Sequence, residues 1–228
     1  MTTAQICLFL LTVNAAPAAG AKSELKCAEH NCAITLPAAT DWQDFTATAK
    51  THGAHTALSV NNARTKSNLT VSVQPSKRPP VAPEEVEQFI RGYIRSSEKA
   101  SRGKLSKTYG RWTSVRGLRT YEFGVAGNSR LGRISNSVRF FWADGKLYVL
   151  TWFVAKGDAE RDPDCLQIVR SFRFLKPPGT TTPPPPPGVD HIAEGEQWGK
   201  VGIYIGIACV IAFLCVRGVV RMVRKKSG

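Results

Sequence analysis

The chain has 228 residues, 43% of them hydrophobic and 9% aromatic, with a formal net charge of +14 and a pI near 9.8. That size and apolar content allow one well-cored domain with accessory segments and leave little room for a second full domain. The charge favours anionic partners such as lipid surfaces, nucleic acid or acidic polymers, and says little about fold.

The first apolar run, ICLFLLTV from Ile6 to Val13, is followed by the small residues of NAAPAAGAK. It is too short to span a bilayer and ends in an A-x-A-like patch, so it predicts a secretory signal peptide over 1–20, cleaved near Gly20. No Lys or Arg precedes it, and Cys7 lacks a lipobox-like context.

Between 21 and 176 the pattern predicts an α+β domain. CAITLP (Cys32 to Pro37) reads as a strand, after which LPAATDWQDF turns the chain. HTALSV and NLTVSVQP form a strand pair around the polar turn NNARTKS. In VAPEEVEQFIRGYIRSSEKA, Val86, Phe89, Ile90, Tyr93 and Ile94 fall on one helical face. Pro83 suits the first turn of that helix, and Glu84, Glu85 and Glu87 complement its dipole.

Four strands follow: KTYGRWTSV, LRTYEFGVA, SNSVRFFWA and KLYVLTWFVA. Their turns are assigned to Gly117, the pair Gly127–Asn128, and Asp144–Gly145, the last a hairpin signal between two alternating apolar runs. Leu147 to Val154 is apolar on both faces apart from Thr151, which predicts a central strand covered on each side. Asp162 and Pro163 then open a second helix, with Leu166, Val169 and Phe172 at helical spacing, before FRFL closes the domain. The order predicts an antiparallel sheet flanked by helices.

Residues 177–199 contain the tract PPGTTTPPPPPG, which has no apolar periodicity. Polyproline stays extended and solvated at about 3.1 Å per residue, so this segment reads as a stalk. Behind it, VGIYIGIACVIAFLCV (Val201 to Val216) is uncharged, and 200–220 is expected to form one C-terminal transmembrane helix, with Arg217 snorkelling. Arg217, Arg221, Arg224, Lys225 and Lys226 all follow the span, whereas DHIAEGEQWGK precedes it. Positive charge stays inside, which puts the tail 221–228 in the cytoplasm and the domain outside, a single-pass topology at the cell membrane.

The strand ending in Leu36–Pro37 followed by Trp42, the single long helix, the meander ending in GKLYVLTW and the closing IVRSFRF resemble the PsbP-like fold family. The resemblance runs from about Cys32 to Leu175 and rests most on Leu147, Tyr148, Ile168, Ser171 and Phe172. It implies an α/β/α sandwich and a noncatalytic binding or assembly module, and carries no active-site residue across.

Site motifs are sparse. Outside the membrane the chain keeps Cys27, Cys32 and Cys165, with Cys209 and Cys215 in the span. A Cys27–Cys32 disulfide closing the CAEHNC loop is expected, with Cys32–Cys165 as the open alternative. No metal site is expected from Cys27, His30 and Cys32 with His52 and His55, because C-x₄-C is not a zinc-knuckle spacing and the histidines read as solvated loop residues. Ser96 to Lys99 matches S-x-x-K, but no K-T-G accompanies it, and no other catalytic or cofactor motif occurs.

Charge is the unusual feature. From Arg91 to Arg139 twelve basic residues face only Glu98 and Glu122, giving +10 of the chain's +14. Arg102, Lys104, Lys107, Arg111, Arg116, Arg119, Arg130 and Arg133 are the candidates for binding an anionic surface: membrane lipid, an anionic envelope polymer or an acidic protein. An outside location argues against nucleic acid. Tyr109, Trp112 and Tyr121 are read as sheet residues rather than stacking platforms. In the span, Gly202 and Gly206 make a G-x-x-x-G pair that would let two copies dimerise. The expected role is a noncatalytic binding or scaffolding domain at the envelope, with a ligand-sensing domain coupled through its helix to a membrane partner as the alternative.

Overall fold

The computed structural model describes residues 23–38, 41–52, 55–76, 80, 82–129, 132–155, 157–179 and Glu196. The segments read from sequence as signal peptide, most of the stalk, transmembrane span with Gly202 and Gly206, and tail, together with Arg130, lie outside the described residues. Among the described residues no helix is long and apolar enough to cross a membrane.

Among the described residues between 23 and 179, ten strands and three α-helices follow in the order β1 (Glu24–Cys27), β2 (Cys32–Thr35), β3 (Trp42–Asp44), α1 (Thr46–His52), β4 (Thr56–Asn62), β5 (Ser67–Pro75) and α2 (Pro83–Ser101). Then come β6 (Lys104–Val115), β7 (Leu118–Ser129), β8 (Gly132–Ala143), β9 (Lys146–Val154), a 3₁₀ turn (Ala159–Arg161), α3 (Pro163–Ser171) and β10 (Arg173–Phe174). Seven strands form one sheet in the order β3-β4-β5-β9-β8-β7-β6, each pair antiparallel. β1, β2 and β10 make a separate three-stranded antiparallel sheet.

The central place expected for β9 is found: it pairs with β5 on one side and β8 on the other. Its residues alternate between two cores. Leu147 and Val149 pack with Val86, Phe89, Ile90 and Tyr93 of α2 against Phe123, Val138 and Phe140. Tyr148, Leu150, Trp152 and Val154 pack on the opposite face with Cys165, Ile168 and Val169 of α3. Burying each large apolar side chain contributes about 1.5–3 kcal/mol, so the two cores hold the layers together.

The ends of α2 follow from its sequence. Pro83 sits at the first position, and the Ala82 amide donates to Glu85 Oε2 at 3.0 Å, satisfying one otherwise orphaned donor. The helix stops where Arg102 turns left-handed at φ 50° and the Gly103 amide bonds Glu98 O at 3.2 Å. α3 starts as expected: Asp162 Oδ1 accepts the Cys165 amide at 2.8 Å, and Pro163 follows. Ser171 Oγ accepts the Thr35 amide at 2.8 Å, tying α3 to β2.

Several expectations are corrected. The second covering layer is not helical alone, because α3 shares it with the β1-β2-β10 sheet, and Leu25 and Phe174 pack on the same core. β1, β3 and α1 are additional elements of three to seven residues. Gly127 and Asn128 are not a turn: β7 runs on to Ser129, and Gly127 faces Leu105 in β6. A Cβ there would lie 2.0 Å from Lys104 O, so glycine permits close approach of the two backbones. Cys27, Cys32 and Cys165 are free, buried thiols, and the expected Cys27–Cys32 bond is not formed, nor is Cys32–Cys165. They pack as small apolar groups in the core shared by α3 and β2.

Candidate functional site

Folding the basic run into hairpins separates its charges. β6 is one of the two edge strands, and its twelve residues span about 35 Å at ~3.3 Å each. Arg102 precedes it, while Lys104, Asn128 and Arg133 align across β6, β7 and β8. Arg102, Lys104 and Arg133 thus gather at one end of the sheet, exposed and without a carboxylate partner among the described residues. Arg116 and Arg119 lie at the opposite end, by the β6–β7 turn.

The middle of the run is neutralised. Lys107 pairs with Glu87 of α2. Arg111 pairs with Glu122 at 2.7 Å and with Glu160 of the 3₁₀ turn at 2.9 Å. Glu122, with only 2% of its side chain exposed, also accepts from Arg139, whose Nε lies at 2.8 Å. Tyr109 OH donates to Ser137 Oγ at 3.0 Å beside Glu122, and burial pushes its phenol up. Tyr109 lies across Gly124, where a Cβ would meet the ring at 2.2 Å. This network fixes β6 to β7, β8 and the 3₁₀ turn, and Lys107 and Arg111 are therefore not free cations of a binding face.

Tyr109, Trp112 and Tyr121 are sheet residues, as read from the sequence, but Trp112 stands out by its exposure. Tyr121 is a buried sheet residue, but Trp112 is 38% exposed and is the large apolar side chain left open among the described residues. Its ring meets Tyr121 edge-on at 5.0 Å, and the Arg119 guanidinium stacks on it at 3.9 Å. Arg116, beside it at the turn, directs Nε to Phe172 O at 3.4 Å. Thr120 pairs with Phe141, and the same register carried to the strand ends sets the β6–β7 and β8–β9 turns level at one end of the sheet. Asp144 in the β8–β9 turn accepts the Gly179 amide at 2.5 Å. Gly179 therefore lies at the same end of the sheet as Trp112, Arg116 and Arg119.

A second cluster sits in the β1–β2 hairpin. Ligand atoms of Cys27, Glu29 and His30 lie within 4.8 Å of one another. His30 is not the solvated loop residue expected from sequence: its side chain is 17% exposed, and burial lowers its pKa from the usual 6.5. His55 stays half-buried and separate from this cluster. Ser96 is buried on α2 while Lys99 points to solvent, so the S-x-x-K match pairs nothing.

No family model and no curated protein matches the chain. Solved structures do. The solution structure of cyanobacterial PsbP (CyanoP) from Synechocystis is similar at a TM-score of 0.48 and 14% identity, over 71% of this chain and 98% of that one. A crystal structure from Bacteroides thetaiotaomicron is similar at 0.40 and 10% identity, over 64% of this chain and 46% of that one. PA94 of Pseudomonas aeruginosa, a protein of unknown function, is similar at 0.36 and 12% identity, over 73% and 100%. These likenesses concern the path of the chain and carry no site residue across.

Proposed function

We propose that the chain is a membrane-anchored member of the PsbP-like group whose outer domain is a noncatalytic binding module, resting one end of its sheet on an anionic membrane surface. The supporting observation is that Gly179, the exposed Trp112 and the cations Arg116 and Arg119 share one end of the fold. An indole with an apolar body and a polar N–H suits the headgroup boundary. Each nearby Arg contributes about 1 kcal/mol towards an anionic leaflet. The proline-rich segment after Gly179 reaches at most about 60 Å as polyproline over its twenty residues to the span, so it tethers the domain close to lipid.

The segment 23–179 contains both cores and is the unit to test. Sedimentation with vesicles of phosphatidylglycerol should pull it down at low salt and release it at high salt, with neutral phosphatidylcholine vesicles leaving it in solution. Equal binding to both vesicle types, or none to either, contradicts the proposal.

A further inference from the structure

The β1–β2 hairpin is short, yet its loop is held from several directions. The Asn31 amide bonds Ala28 O at 3.1 Å, and Asn31 itself is left-handed at φ 52°. Asn31 Nδ2 donates to Lys176 O at 3.0 Å, and its Oδ1 accepts the Lys176 amide at 2.8 Å. The Leu175 amide reaches Asn31 O at 3.2 Å, and Tyr148 OH donates to His30 O at 3.0 Å. A loop of four residues between Cys27 and Cys32 is thus fixed by β9 and by the last residues of the domain. That fixing presents three donor side chains, Cys27, Glu29 and His30, on one side of the turn.

The donors differ in chemistry and in access. Cys27 is nearly enclosed, whereas the Glu29 side chain is 74% exposed. His30 Nε2 lies 3.8 Å from Glu29 Oε1, while Nδ1 is buried and has no hydrogen-bond partner among the described residues. Nε2 is thus the imidazole nitrogen beside the Glu29 carboxylate, and neither ring nitrogen is committed to a strong hydrogen bond that an ion would have to displace. Sulfur, nitrogen and oxygen donors suit a borderline-soft divalent ion, which takes a thiolate at about 2.3 Å and an imidazole at about 2.0–2.1 Å in tetrahedral geometry. The present separations need to shorten by only about 1 Å to reach the edges of such a tetrahedron.

We propose that Cys27, Glu29 and His30 form a binding site for a divalent transition metal ion of the zinc type, with the fourth position open to solvent beside Glu29. On binding, Cys27 loses its proton to bulk water and the sulfur becomes the ligand, while His30 supplies a nitrogen lone pair. Burial already favours the neutral imidazole. Cys32, the register partner of Cys27, stays a thiol, because burial pushes its pKa up to about 12. Occupancy ties the sulfur of Cys27 to the ion, so a metal-loaded site and a Cys27–Cys32 disulfide exclude one another.

Cobalt(II) tests this directly, since a thiolate–cobalt bond absorbs in the near ultraviolet. The reduced, metal-stripped full chain in detergent should gain that band to one equivalent, and zinc should abolish it. Cys27→Ser should remove the band, His30→Asn should weaken cobalt affinity at least tenfold, and Cys32→Ser and Cys165→Ser should leave it intact. His30→Asn keeps every thiol, so its effect stands even where Cys27→Ser disturbs the hairpin; circular dichroism monitors both. No band in the wild-type chain, a band surviving Cys27→Ser, or one lost with Cys32→Ser or Cys165→Ser overturns the proposal.

Discussion

Glu122 and Arg139 are register partners on β7 and β8, and the Glu122 carboxylate lies between the Arg139 guanidinium and that of Arg111 on β6. One carboxylate with almost no exposure thus joins three strands through two cations. It is also one of only two acids in the stretch from Arg91 to Arg139, and it serves the fold rather than a surface.

Removing that carboxylate leaves Arg139, 14% exposed, without its counter-charge. Glu122→Gln should therefore destabilise the domain by about 3–5 kcal/mol. Replacing all three groups with Arg111→Met, Glu122→Leu and Arg139→Met should recover most of the loss, because apolar groups of similar volume carry no desolvation penalty. Urea unfolding of 23–179 measures both, and wild-type stability in Glu122→Gln would show that the row contributes nothing.

Gly127 gives a steric prediction. The Cβ of Gly127→Ala would meet backbone, so β6 must move away from β7 at its first residues. A loss of about 1–3 kcal/mol is expected, with amide exchange accelerating first at Leu105 and Ser106.

Alkaline pH should weaken the fold through its buried thiols and phenols, Cys32 and Tyr93 among them. Burial pushes Cys32 from 9.0 up to about 12 and Tyr93 from 10.0 up to about 12. The folded state holds both protons longer than the unfolded chain, so their contribution is complete below pH 9 and is lost as pH rises towards 12. The urea midpoint should fall between pH 8.5 and 10.5, and thiol reagents at pH 8 should label Cys32 only after unfolding; a flat midpoint or prompt labelling contradicts this.

Acid should act through His30. Its pKa is lowered by burial, with Glu29 opposing and Lys146, Lys50 and His55 assisting. The unfolded chain takes up the proton first, so stability declines as pH falls below about 6.5 until the lower folded value is passed. His30→Gln should flatten urea midpoints measured between pH 7 and 5; an unchanged slope would place the titration elsewhere.

What the sequence discloses depends on whether a pattern is local. The apolar face of α2 and the two-sided apolarity of β9 lie within one element, and both are found as expected. β1, β3 and α1 carry too few residues for a period to show. Gly127–Asn128 imitates a turn because glycine serves two purposes, and here it admits a neighbouring backbone. The basic run read as one face because its neutralising partners Glu87 and Glu160 lie outside it in sequence. Cys27, Glu29 and His30 come together because a tight hairpin closed by Cys27 and Cys32 turns its loop side chains to one side, a juxtaposition that the cysteine spacing alone does not announce.

The proposed contact with a membrane is tested most directly by reversing charge at each end of the sheet separately. Arg116→Glu with Arg119→Glu, and Arg102→Glu with Lys104→Glu, change the net charge of 23–179 equally, so vesicle sedimentation compares position alone. Binding to phosphatidylglycerol vesicles should fall at least tenfold for the first pair and by less than threefold for the second, and Trp112→Ala should weaken it further at high salt. Equal losses from the two pairs, or a larger loss from Arg102 and Lys104, would contradict the account.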